Sequence, residues 1–121
     1  MVSAMQPKTS ADSFPWRVDP IELPRPRVDF GVSLAKALSA RRSTREFDTL
    51  RKVPQLVLSE LLWCACGINR RATGDRTVPS WRHACEIEIF VAMQDGAWRY
   101  DPETNRLLPL CSDDLRAATG I

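Results

Sequence analysis

The chain has 121 residues, long enough for one domain with a sizeable core and too short for two ordinary ones. With 44% hydrophobic and 26% charged residues it reads as globular, neither disordered nor fibrous. Its net charge of +2 is too small for the broad basic surface of a nucleic-acid binder, and it contains no run of about 18 apolar residues that could cross a bilayer.

Residues 1–30 hold Pro7, Pro15, Pro20, Pro24 and Pro26, a density that excludes a regular helix and favours extended backbone. This stretch is expected to be an arm, laid along a surface through Phe14, Trp16, Ile21 and Leu23. Residues 31–42 read as a helix, with Ser33 as N-cap and Leu34, Ala37, Leu38 and Arg41 at helical spacing. Its apolar stripe is expected in the core. The helix runs out into Arg41-Arg42-Ser43-Thr44-Arg45-Glu46-Phe47, where three guanidiniums and two hydroxyls fall within five residues. Planar guanidinium forks match phosphate oxygens and a hydroxyl adds a further donor, so this is anion-binding chemistry. A solvated helix end answering the helix dipole is the alternative.

A second helix is expected over residues 54–66, with Pro54 near its first turn and Gly67 ending it. Leu58, Leu61, Leu62 and Ala65 lie on one face and Leu56 and Trp63 away from it, which predicts burial on both sides. Residues 68–82 are polar and turn-rich, with a second basic group in Arg70, Arg71, Arg76 and Arg82. Residues 86–93 alternate as a strand, with Ile87, Ile89, Val91 and Met93 on one face. Asp95-Gly96 signals a hairpin turn, and residues 97–100 return as its partner. A third strand over residues 106–110 is marked as an edge or end by Pro109, and Ser112 opens a last helix that Gly120 would stop.

Cys64, Cys66, Cys85 and Cys111 could make two disulfides, but the opening residues lack the apolar segment of a signal peptide. The expectation is a cytoplasmic protein with free thiols. Cys64 and Cys66, two apart on a helix, point in different directions, so no zinc site with His83, Cys85 and Cys111 is expected. Nucleic-acid binding through the arginine groups lacks an accompanying fold, so neither nucleic acid nor membrane is expected as a partner.

Taken together, several segments resemble the N-terminal part of the FMN-dependent nitroreductase family, in its SagB-type or thiazole-oxidase-like dehydrogenase branch. They are Ile21-Glu22-Leu23-Pro24-Arg25-Pro26, Ser33-Leu34-Ala35-Lys36-Ala37-Leu38, the Arg41-to-Phe47 run, Leu58-Ser59-Glu60-Leu61-Leu62-Trp63, Gly67-Ile68-Asn69-Arg70, Arg76-Thr77-Val78-Pro79-Ser80 and the hairpin of residues 86–100. The resemblance implies an α+β nitroreductase-like fold, helices packed on an antiparallel sheet, over residues 31–121 behind the arm. It implies that Arg41, Arg42, Ser43 and Arg45 hold the FMN phosphate and ribityl chain, and that Pro79, Ser80 and His83 line the flavin ring. His83 stands where the family commonly has Asn and Cys85 where it has Gln; imidazole offers only two fixed nitrogens where an amide both donates and accepts. The implied activity is NAD(P)H-driven electron transfer to a small organic acceptor in a ping-pong flavin cycle, with no side chain needed as general acid or base. The family's domain continues beyond the position matched by Gly120-Ile121 and builds its sites across a homodimer. An incomplete domain that pairs as a homodimer or with a complementing chain is therefore expected, or else an inactive fragment that serves as an interaction module or has no independent function.

Overall fold

The computed structural model describes residues 18–29 and 31–120, apart from the side chain of His83. The expectations for Phe14 and Trp16 lie outside the described residues. The fold is α+β, and its centre is a four-stranded antiparallel sheet. Strand β5 (Gly96–Asp101) alternates strictly, with Gly96, Trp98 and Tyr100 buried between half-buried neighbours, the period-2 pattern of a strand with one face inward. It pairs with β4 (Phe90–Met93) through Val91↔Trp98 and with β6 (Arg106–Cys111) through Tyr100↔Leu107. A two-residue strand from the arm, β1 (Ile21–Glu22), adds to the far side of β6, giving the order β1-β6-β5-β4. Helix α2 (Gln55–Cys66) supplies Leu58 and Leu62 to the core formed with Leu23, Trp98, Tyr100 and Leu107. Between α2 and the sheet, β2 (Ile68–Arg70) and β3 (Asp75–Arg76) form a minimal hairpin inside what reads as a polar loop.

Polar side chains lock these pieces together. Ser59, fully buried on α2, donates to the carbonyl of Pro24, and the Asn105 amide donates to the carbonyls of Leu23 and Pro24 at 3.3 and 3.1 Å. Asn105 also accepts from the Tyr100 hydroxyl at 3.1 Å, so one side chain joins arm, sheet and helix. Burial pushes the Tyr100 phenol above its ordinary range. The arm is held a second time where Arg27 meets Glu60 at 2.7 Å.

Several expectations are corrected. Helix α1 (Leu34–Ala40) exists and is capped by Ser33, which accepts from the Lys36 amide, but it is shorter than residues 31–42 and no residue of it is buried. Leu34 is 75% and Leu38 63% exposed, so the apolar stripe is not core: the sheet's core is filled by α2 and the arm. Helix α2 is buried on one side only, since Leu61 is 62% exposed and Ala65 is also in solvent. The strand expected over residues 86–93 is regular only from Phe90, and Ile87 is exposed, although Ile89, Val91 and Met93 do pack on the core. The hairpin turn falls on Gln94 and Asp95, with Gly96 opening β5 at φ 144°. A Cβ there would stand 2.4 Å from the Cys111 carbonyl oxygen, so glycine is required by close approach as well as by φ. Pro109 lies opposite Trp98 in a strand with neighbours on both sides, yet β1 reaches only Arg106 and Leu107, leaving an open side at the proline. The last helix is a single 3-10 turn, Arg116–Thr119, followed by Gly120 at φ 87°.

Candidate functional site

The basic run leaves α1 as soon as the helix ends. Arg41 is the C-cap, its amide donating to the Leu38 carbonyl, and its φ and ψ of −62° and 127° turn the chain into extended backbone. Arg41, Arg42, Ser43 and Arg45 are all exposed, and none of the three arginines makes an ion pair with a described residue. Among the described residues, none accepts a hydrogen bond from their guanidiniums. The run is closed by an Asx turn in which Asp48 accepts from the amides of Leu50 and Arg51 at 3.0 and 3.2 Å. Arg116 fixes this turn from the other end of the chain, donating to the Thr49 carbonyl at 3.0 Å while its own guanidinium is forked onto Asp114. The guanidinium of Arg116 in turn holds the Asp114 carboxyl below the usual range. No spacing in the sequence points to the Arg116–Thr49 link, because a backbone carbonyl has no sequence signature.

Pro79 and Ser80 follow β3. The Ser80 hydroxyl accepts from the Cys85 amide at 2.8 Å, and Arg82 and Cys85 take left-handed φ values of 48° and 51°. Such values are uncommon for non-glycine residues, so this turn is held by its hydrogen bonds rather than by preference. Trp81 is 71% exposed with the Arg82 guanidinium 4.7 Å from its ring centroid. His83 ends the 3-10 turn Trp81–His83, and its side chain lies outside the described residues.

Two surface cavities open elsewhere. One of about 720 Å³ has a floor of Leu23, Trp63, Ile68 and Tyr100, with Arg25 and Arg71 as its charged lining residues. A smaller one of about 140 Å³ contains Cys66, Arg76 and Cys85, the Arg76 guanidinium donating to the Cys66 sulfur at 3.3 Å. Neither is lined by Arg41, Arg42, Ser43, Arg45, Pro79 or Ser80. The basic run is therefore an exposed ledge, and the turn of exposed Pro79 and half-buried Ser80 also stands apart from the walls of these cavities. The four cysteines are free, and the described residues contain no group of three His, Cys, Asp or Glu side chains able to hold a metal. No helix among the described residues is long and apolar enough to cross a membrane.

Residues 38–120 match the sequence profile of the Nitroreductase family. Among solved structures, the chain is similar to a candidate nitroreductase from Ralstonia eutropha JMP134, with 44% sequence identity and a TM-score of 0.78. That match covers 84% of this chain and 48% of the Ralstonia chain, so the present chain spans about half the length of that relative. No curated protein matches.

Proposed function

Because the chain belongs to the nitroreductase family, we propose that it is the FMN-phosphate-binding part of an FMN-dependent oxidoreductase, of the SagB-type dehydrogenase branch. The observation that carries this reading is the donor set of Arg41, Arg42, Ser43 and Arg45: exposed, unpaired with described carboxylates and held on one short extended segment between a capped helix and an Asx turn. That set fits a phosphate ester. Arg41 and Arg45 would bind the phosphate oxygens through charge-assisted hydrogen bonds, Ser43 would add a neutral donor, and Arg42 would supply charge from the adjoining position. When bound, FMN would supply a two-electron carrier between NAD(P)H and a small organic acceptor. Pro79, Ser80 and His83 would line the ring. Because the Ser80 hydroxyl already accepts from the Cys85 amide, its role is to hold that turn while it keeps one O–H to donate. The protein's part is position and electrostatics, and no side chain serves as general acid or base.

A second reading is favoured by the exposure of the whole of residues 31–55: an inactive chain that acts through its apolar surface as an interaction module. Under either reading the protein works as a homodimer or with a complementing chain. Titration of FMN fluorescence separates the two. A charge-assisted hydrogen bond is worth roughly 1.5–3 kcal/mol against about 1 kcal/mol for a neutral one. Arg45→Ala should therefore weaken FMN binding about 10- to 100-fold, at 1.4 kcal/mol per factor of ten, and His83→Asn should leave it unchanged or improve it. Equal binding by wild type and Arg45→Ala removes the phosphate assignment, and no FMN binding by wild type favours the interaction module.

A further inference from the structure

Arg25 and Arg71 differ from the arginines beside them. Arg27 meets Glu60 at 2.7 Å, and Arg70 meets Asp75 at 3.0 Å. Arg25 and Arg71 make no hydrogen bond or ion pair with any described residue. They belong to distant segments, the arm and the turn that follows β2, yet both line the cavity of about 720 Å³. The backbone at each is anchored. The Asn105 amide holds the Pro24 carbonyl at 3.1 Å, immediately before Arg25. The turn that begins at Arg71 is closed by the amides of Thr73 and Gly74, which donate to the Arg70 carbonyl at 3.1 and 2.9 Å. Burial raises the pKa of the Tyr100 phenol, which also lines the cavity, and the Arg71 guanidinium is near enough to oppose that rise.

The remaining walls narrow the choice of guest. Leu23, Ile68 and Tyr100 are buried and Trp63 is half-buried, so the floor is apolar and partly aromatic. No Asp or Glu lines the cavity, and its charged groups are therefore both cationic. A cationic guest is repelled there, and a neutral apolar one leaves two guanidinium forks unused. The volume falls in the range of small-molecule sites and exceeds what a bare inorganic anion fills. We propose that this cavity binds a small aromatic carboxylate, its ring against Trp63 and Tyr100 and its carboxylate received by Arg25 and Arg71. A guanidinium fork matches the two oxygens of a carboxylate, and aromatic faces favour a flat ring. The Tyr100 hydroxyl already donates to Asn105, which leaves the two arginines as the charged donors. None of the residues assigned above to FMN lines this cavity, so this site and the flavin reading can fail separately.

The test needs no flavin. The probe is 2-naphthoate, titrated into the full chain by calorimetry and followed by amide chemical shifts. At the modest binding energy per atom of ordinary ligands, a Kd of about 1 mM or tighter is expected. The largest shifts should fall in residues 23–28, 68–71 and 100–105. The neutral 2-naphthalenemethanol and the ringless acetate should each bind about tenfold more weakly or worse. Because both guanidiniums are exposed, Arg25→Ala and Arg71→Ala should each weaken naphthoate binding only about threefold to tenfold, and the double variant about tenfold or more. Thermal unfolding of the double variant should match wild type, since neither arginine has a partner in the fold. Equal binding of naphthoate and the neutral alcohol overturns the proposal, as does affinity that survives the double substitution. So do shifts centred on residues 41–45, and so does the absence of binding up to about 10 mM.

Discussion

Replacing Asn105 by alanine removes the one side chain that ties arm, helix and sheet together. Three things change. The carbonyls of Leu23 and Pro24 lose their amide donor, the Ser59 hydroxyl loses a neighbour at 3.3 Å, and the part-buried Tyr100 hydroxyl loses its acceptor. A buried polar group left without its partner costs about 1–3 kcal/mol, and Tyr100 is only 5% exposed. Asn105 also sits at φ 54°, in the left-handed region that asparagine tolerates and alanine does not, which adds about 1 kcal/mol. Together these predict a loss of about 3 kcal/mol for Asn105→Ala. Asn105→Gly keeps the hydrogen-bond loss but removes most of the backbone term, and should come out about 1 kcal/mol more stable than the alanine variant. Urea unfolding followed by tryptophan fluorescence measures both, with wild-type m-values as the check on two-state behaviour. An Asn105→Ala variant within about 0.5 kcal/mol of wild type would refute the hub. Equal stability of the alanine and glycine variants would refute the backbone part alone.

Two further predictions follow from the sheet. Tyr100 is the only tyrosine, so ultraviolet difference absorbance follows its ionisation without interference; burial should raise its pKa above the ordinary value near 10. Because the folded state holds that proton more tightly than the unfolded chain, this contribution to stability is complete below the unfolded pKa and is lost as pH rises through the folded one, and an ordinary titration would contradict the burial. Gly96→Ala places a methyl 2.4 Å from the Cys111 carbonyl oxygen at φ 144°, and should cost about 3 kcal/mol or prevent folding, read by circular dichroism and thermal melting; a variant that melts with wild type would show that β5 and β6 separate there easily.

Much of this architecture is legible in the chain itself. The α2 helix, the β4–β5 hairpin and β6 follow from local period and turn chemistry, and all three are where the spacing puts them to within a few residues. What is not legible depends on contacts between distant segments. Leu34 and Leu38 have core spacing, but whether a helix finds a surface depends on what else is present, and α2 with the arm already covers the sheet. Asn105 and Ser59 read as a turn residue and a small helix residue; only their meeting across 46 positions makes them structural. Residues 86–89 alternate as a strand but lack a ladder partner beyond the Ile89 carbonyl, which accepts from the Tyr100 amide. At the candidate site, residue type alone offers Arg41 to Arg45 as anion donors, and the structure adds only that they are exposed on an extended segment. The Arg116–Thr49 anchor and the Ser80–Cys85 bond could not be read from residue type, because both use backbone groups.

The central claim, that the basic run recognises a phosphate ester, is tested most directly by comparing FMN with riboflavin, which shares the ring and ribityl chain but has no phosphate. If Arg41, Ser43 and Arg45 hold the phosphate, wild type should bind FMN about 10- to 100-fold more tightly than riboflavin, and an Arg41→Ala/Arg45→Ala variant should reduce that ratio nearly to one by weakening FMN alone. Equal affinity of the wild type for FMN and riboflavin, or a preference for FMN that survives the double substitution, would contradict the account.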